Sequence, residues 1–174
     1  LKELSDKGAK VIVLSHFGRP QKTTGGYDPD LSLSPLVDAL SEALGKPVKF
    51  GLDCIGSEAE SATRDMQNGE IVLLENLRFH KEEEKNDPLF AASLASLGEL
   101  FVNDAFSCSH RAHASVVGLA EHLPRAAGRL MQAELETLET LFNTPKRPLG
   151  AVVGGSKIST KLAILEHLIE KVDV

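Results

Sequence analysis

The sequence predicts an α/β fold in which a parallel sheet carries helices on both faces, and three observations predict it. Short β-branched runs alternate with segments of helical periodicity, glycine or proline punctuates most changes of period, and the connections between elements are short.

Each element follows from its own residues. Lys10 to Leu14 is a β-branched run after Gly8 that breaks at the turn Ser15 to Pro20, the pattern of a buried strand. Ser34 and Pro35 supply an N-cap and a first-turn proline, Leu36, Val37, Leu40 and Leu44 recur at helical spacing, and Gly45 is the stop. Pro47 to Phe50 predicts a second strand, Ser57 to Gln67 a helix closed by Asn68 and Gly69, and Glu70 to Glu75 a third strand. Asp87 and Pro88 cap a helix that turns Phe90, Leu94 and Leu97 to one face and ends at Gly98, after which Glu99 to Asn103 is a strand again. From Leu130 to Phe142, Met131, Leu135, Leu138 and Phe142 mark a helix with Glu134, Glu136 and Glu139 on its wet side, interrupted at Thr144 to Pro148. A boundary is expected there. Beyond it, Leu149 to Val153 predicts a strand, Gly154 to Ser156 a turn, and Ser159 to Val172 a helix with Leu162, Leu165, Leu168, Ile169 and Val172 facing inward: one β-α unit of a second domain.

Composition narrows the function. With 42% hydrophobic side chains over 174 residues the chain can bury a core without a metal or disulfide. The two cysteines, Cys54 and Cys108, have no C-x-x-C spacing, so neither a zinc site nor a disulfide framework is expected. Apolar runs such as Ile71 to Leu74 are far shorter than the roughly 20 residues that cross a bilayer, and no charged-then-apolar leader opens the chain. No membrane role and a cytoplasmic location are therefore expected. A formal net charge of −6 argues against general nucleic-acid binding, which needs a basic surface to displace counterions.

Against that acidic background the basic residues gather. The segments Ser15-His16-Phe17-Gly18-Arg19-Pro20, Asn76-Leu77-Arg78-Phe79-His80 and Ser109-His110-Arg111-Ala112-His113 each follow the C-terminal end of a predicted strand, and bring three arginines and four histidines to one edge of the sheet. Ligands of open α/β sheets bind at that edge. Arginine suits a small polyanion because its planar fork donates paired hydrogen bonds to carboxylate or phosphate. Any one of these segments alone reads as a solvated surface feature; three in register read as a site. His110 and His113 could share a helical face, but no cysteine or carboxylate at ligand spacing accompanies them, and no metal is expected. Lys81 to Lys85 reads as a solvated loop without chemistry. Gly154-Gly155-Ser156-Lys157-Ile158-Ser159-Thr160-Lys161 is either a simple turn or a phosphate cradle; it is not a Walker A loop, since Ser156 stands where that motif demands lysine.

Taken together, Ser15 to Pro20, Leu73 to His80 continuing into Glu82-Glu83-Glu84, Val102-Asn103-Asp104-Ala105-Phe106 leading to His110-Arg111-Ala112-His113, and Gly154-Gly155-Ser156-Lys157 resemble the signatures of the phosphoglycerate kinases, in that family's order and spacing. The resemblance covers essentially the whole chain. It implies a three-layer α/β/α, Rossmann-like parallel sheet, incomplete because a first strand and the rest of a second domain are truncated. The implied domains are 1–126, binding 3-phosphoglycerate; 127–144, a hinge helix; and 145–174, the start of a nucleotide-binding domain. His16, Phe17, Gly18, Arg19, Arg78, His110 and Arg111 would hold 3-phosphoglycerate, Gly155, Ser156 and Lys161 would line the nucleotide site, and Lys157 would neutralise the phosphoryl group in flight. Many members have alanine in place of Ser156.

The chemistry so implied is reversible phosphoryl transfer between ATP and the carboxylate of 3-phosphoglycerate, giving 1,3-bisphosphoglycerate and ADP, with Mg²⁺ accompanying the nucleotide. The acid carries about three negative charges and its carboxylate is already ionised, so catalysis should rest on positioning and cations rather than on a general base. Domain closure would exclude water. The family's opening strand with an Asp-x-Asn sequence, an arginine soon after it, and the carboxylate associated with Mg²⁺ do not occur in these residues. The complete enzyme is expected to be a monomer. The 174 residues alone are expected to be inactive, and to mend the gap left by the first strand by pairing with another chain, by pairing Val11 to Leu14 directly with Leu100 to Val102, or by unfolding. A non-catalytic remnant that binds the acid, or a nucleotide-binding module that hydrolyses ATP, are the alternative classes.

Overall fold

A computed structural model of the chain describes residues 1–20, 27–154 and 162–174. These form two compact units, Leu1–Ala126 and Ala127–Val174. The first is a mixed α/β layer structure. Its strands β1 (Val11–Val13), β2 (Val48–Gly51) and β3 (Ile71–Leu74) make a parallel sheet in the order β1-β3-β2, with Val11 and Val48 both aligned on Ile71. All four residues of central β3 are buried. Because side chains alternate along a strand, Ile71 and Leu73 face one way and pack with Val11, Leu33 and Val48 against helices α1 (Lys2–Asp6) and α2 (Leu36–Leu44). Val72 and Leu74 face the other way. There they meet Ala59 of α3 (Gly56–Arg64), Phe90, Ala91 and Leu94 of α4 (Pro88–Ala95) and Leu119 of α5 (Leu119–His122). The continuous apolar run of β3 is thus accounted for by helices on both faces.

The helix signals act as the sequence suggests, with small shifts. Asp87 caps α4, its Oδ1 accepting from the N–H groups of Leu89 and Phe90, with Pro88 in the first turn. Helix α2 starts one residue later than expected: Pro35, not Ser34, is its N-cap, and the Ser34 hydroxyl instead pairs with that of Ser32. Before α5 the chain makes a π-helical turn, Ala114–Gly118, which periodicity did not indicate. Gly118 is required there, since a Cβ would lie 2.7 Å from that of Ala91 and 2.9 Å from Asn86 Oδ1, which accepts the Gly118 N–H.

The fourth strand does not join the other three. Strand β4 (Phe101–Asn103) forms, but it pairs with β5 (Arg125–Ala127) in a separate two-stranded ladder. Direct pairing of β1 with β4 is therefore not formed. In the second unit, α6 (Arg129–Asn143) and α7 (Leu162–Ile169) lie where helical spacing predicts. Leu149 to Val153 is not a strand. Leu149 and Ala151 share backbone hydrogen bonds with only Asp173 and Val174, too few partners for a ladder, while Arg147 pairs with Asp173 at 2.8 Å. Leu162 and Ile169 of α7 are exposed rather than inward.

At the carboxyl end of β3 two buried polar residues tie the neighbouring loops together. Glu75 accepts from the Ser32 hydroxyl (2.6 Å), the Leu33 N–H (2.8 Å) and the Asn76 N–H (2.7 Å). The Asn76 amide oxygen accepts from the N–H groups of Phe17 and Arg78, and its nitrogen donates to the carbonyls of Phe17 (2.7 Å) and Leu31 (2.9 Å). Asn76→Ala should cost about 1–3 kcal/mol for each of these groups left buried without a partner. Asn76→Asp should not rescue it, because an ionised carboxylate cannot donate to the two carbonyls. Urea denaturation should show a lower midpoint at unchanged slope for both variants; a shift within about 0.5 kcal/mol would contradict the clamp.

Candidate functional site

Strands β1 and β3 are parallel neighbours, so the segments that follow them leave the sheet at the same edge. Gly18 adopts a left-handed conformation (φ +58°) that also brings it onto Leu31, where a side chain would not fit. Its carbonyl accepts from Arg78 Nη1 at 2.6 Å. Arg78 is largely covered, its Nε has no hydrogen-bond partner, and Glu84 Oε1 lies 3.6 Å from that nitrogen. Phe17 and Arg19 are exposed on the same loop.

The third basic segment follows β4, outside the three-stranded sheet, yet it is drawn to the same place by one carboxylate. Glu83 is fully buried. Its Oε2 accepts from the Ser115 N–H at 3.0 Å, and its Oε1 from the Ser115 hydroxyl and from His16 Nε2 at 2.7 Å. His113 Nδ1 stands 3.6 Å from Oε1, beyond hydrogen-bond reach. The His16 and His113 rings meet edge to face, their centroids 5.4 Å apart, and Cys108 Sγ is 3.9 Å from His16 Nδ1. His113 therefore joins His16, not His110, whose Nε2 faces Arg111 Nε at 3.3 Å on a more exposed surface. Glu83 also corrects the reading of Lys81 to Lys85 as a solvated loop. A run of charges hides one buried member, and only the resemblance of Glu82-Glu83-Glu84 to a family signature marked it.

Burial pushes the Glu83 carboxyl up, but the hydrogen bonds from His16 and from the Ser115 hydroxyl and N–H outweigh it and hold the group below its ordinary range. Burial pushes His113 down, and the opposing pull of Glu83 does not overcome it, so its neutral form is favoured. A second polar cluster lies at the end of β2. Asp53 Oδ1 is 2.6 Å from His80 Nε2 and 2.6 Å from the Cys54 N–H, and the Cys54 thiol is pushed far up, by burial first and then by Asp53, so it stays protonated. Gly155, Ser156, Lys157 and Lys161 lie outside the described residues.

The sign of the pH dependence follows. Both Glu83 and His113 hold fewer protons folded than unfolded, so each contributes stability that is complete above its unfolded value and is lost as pH falls through the folded one. Stability should therefore fall below about pH 6.5 as His113 must charge, and more steeply below about pH 4.5 as Glu83 protonates. In denaturant titrations across pH, His113→Gln should flatten the upper part of this decline; an identical profile would contradict it.

The family model described as phosphoglycerate kinase matches residues 1–174. The phosphoglycerate kinase of Sinorhizobium fredii is 56% identical over 173 residues, 99% of this chain and 43% of its own length. That of Rhodospirillum centenum is 58% identical over 174 residues, 100% of this chain and 43% of its own. Among solved structures, the phosphoglycerate kinase from Coxiella burnetii superposes with a TM-score of 0.83 at 38% identity, over 99% of this chain and 42% of that one. The enzyme from Pyrococcus horikoshii does so with a TM-score of 0.85 at 32% identity, over 99% and 44%. The chain thus spans less than half the length of the relatives it matches. With every residue matched by the family model, and with a parallel sheet that superposes on two of its solved members, the chain belongs to the phosphoglycerate kinase family.

Proposed function

We propose that this chain supplies the acid-binding half of an enzyme that transfers a phosphoryl group reversibly between ATP and the carboxylate of 3-phosphoglycerate. The observation that carries the reading is the meeting of Arg78, Gly18 and the His16–Glu83–His113 cluster at the carboxyl edge of a parallel sheet. Arg19 and Arg111 stand exposed or half-exposed beside it, in a chain whose net charge is −6. A trianionic acid finds its complement in fixed guanidinium donors, and an ionised carboxylate acceptor needs no base. The domain reading is 1–126 for the acid, 127–144 for a hinge and 145–174 for the start of the nucleotide domain, with Gly155, Ser156 and Lys161 lining the nucleotide and Lys157 facing the phosphoryl group in transit.

Mg²⁺ would supply charge neutralisation on the nucleotide phosphates. Neither cluster of metal-type donors among the described residues, His16 with Glu83 and His113 or Asp53 with Cys54 and His80, fits it, since Mg²⁺ takes oxygen ligands and each set offers one carboxylate beside two nitrogen or sulfur donors. The proposal assigns its protein ligands to residues other than these 174. No described helix is long and apolar enough to cross a membrane, and the cytoplasm is the compartment we propose. As an isolated piece the 174 residues should transfer nothing, because their relatives spend more than twice this length on the complete cleft.

In the complete protein, Arg78→Ala or Arg111→Ala should weaken 3-phosphoglycerate by about 1.5–3 kcal/mol and leave ATP binding nearly intact. Calorimetry with each ligand separates these outcomes, and equal weakening of both would overturn the assignment. Lys157→Ala should instead lower turnover far more than acid binding, as befits a group whose partner is charge that moves during transfer. An unchanged kcat would remove Lys157 from that role.

A further inference from the structure

Nothing in the reading above assigns work to a carboxylate, yet Glu83 is fully buried and bonded directly to a histidine of the acid site. We propose that Glu83 is the positioning residue of that site, fixing the orientation of His16 and, through it, of His113; the proposal rests on the acid-binding reading. The carboxylate is itself immobilised. A backbone donor, the Ser115 N–H, holds Oε2, and the Ser115 hydroxyl holds Oε1, leaving Oε1 to face His16 Nε2. An ionised carboxylate only accepts, so the proton between them belongs to His16 Nε2 and the neutral ring carries its lone pair on Nδ1. The edge-to-face contact with His113 then passes this orientation to a second ring, whose buried Nδ1 makes no hydrogen bond of its own. Ser115 lies in the π-helical turn beyond the third basic segment, so one side chain joins the loop after β1 to the loop after β4, which share no strand pairing.

Glu83→Gln tests this because its geometry allows one outcome. The Ser115 N–H can only donate, so the glutamine carbonyl must turn to it and the amide NH₂ must face His16 Nε2. His16 must then accept through Nε2 and move its proton to Nδ1. In the complete protein, ¹⁵N NMR should show His16 protonated on Nε2 in the wild type and on Nδ1 in the variant. Steady-state kinetics should show the KM for 3-phosphoglycerate changed about tenfold or more, the KM for ATP within about twofold, and the fold intact by its amide spectrum. Unchanged His16 signals, or equal changes in both KM values, would overturn the proposal. If Glu83→Gln does not fold, Ser115→Ala, which frees one side of the carboxylate, should still raise the acid KM several-fold, about threefold to tenfold, and spare that of ATP. No change there would overturn it equally. Absence of any phosphoryl transfer in the wild-type protein would defeat the functional reading instead, and the histidine tautomer would then decide the positioning role alone.

Discussion

A carboxylate buried away from water is tolerated only when its oxygens are filled, and the first unit depends on two that are. Glu75 is satisfied entirely by neutral donors, the Ser32 hydroxyl and two backbone N–H groups. Glu83 takes His16 and both donors of Ser115. Each reaches residues at least 32 positions away in sequence, apart from the local bond of Glu75 to Asn76. Loops that have no ladder to hold them are thereby fixed to the end of a strand. The apolar layers on the two faces of β3 stabilise the sheet but say nothing of where its loops point; that is decided by the polar residues at its carboxyl end.

This division explains what was legible in the sequence. Strand β3 announces itself because four consecutive apolar residues must be covered on both faces, and α4 because Asp87 and Pro88 act within three residues of where they stand. Local causes leave local signatures. Strand β4 is the counter-example. Phe101 to Asn103 has strand composition whichever neighbour it takes, and its choice of β5 over the main sheet depends on long-range pairing that no window of residues contains. The segment Leu149 to Val153 has the same composition and forms no ladder among the described residues, since composition sets the readiness to pair and not the presence of a partner.

The site was legible to a similar degree. The basic segments were found because cations concentrated at strand ends are conspicuous in an acidic chain. Glu83 was missed for the opposite reason. Within Lys81 to Lys85 every residue is charged, and a charged run is ordinarily solvated; that one member turns inward depends on Ser115 and His16, 32 and 67 positions away. The meeting of His113 with His16 rather than His110 is likewise a long-range contact, edge to face, that no window of residues contains.

On the proposed reading, an anion site must hold its cations still without cancelling them, and the partners of Arg78 meet both demands. Had Arg78 been held by a carboxylate at close range, the charge would have been fixed and neutralised together. It is held by the Gly18 carbonyl instead, a neutral acceptor 2.6 Å away, which constrains the guanidinium and leaves its charge to a ligand. Glu84 is the nearest carboxylate, but at 3.6 Å from Nε and with its side chain 46% exposed it is screened by water and weakly attractive. The buried carboxylates are kept for the uncharged work. Among the described residues Glu75 binds no cation, and Glu83 orients imidazoles, whose placement depends on direction more than charge. Gly18 is the residue on which this arrangement turns: its left-handed backbone aims the carbonyl at Arg78, and the space a side chain would need is filled by Leu31, which Asn76 in turn anchors. The glycine, the amide and the arginine form one device, in which backbone conformation does the work that an opposing charge would have done at the ligand's expense.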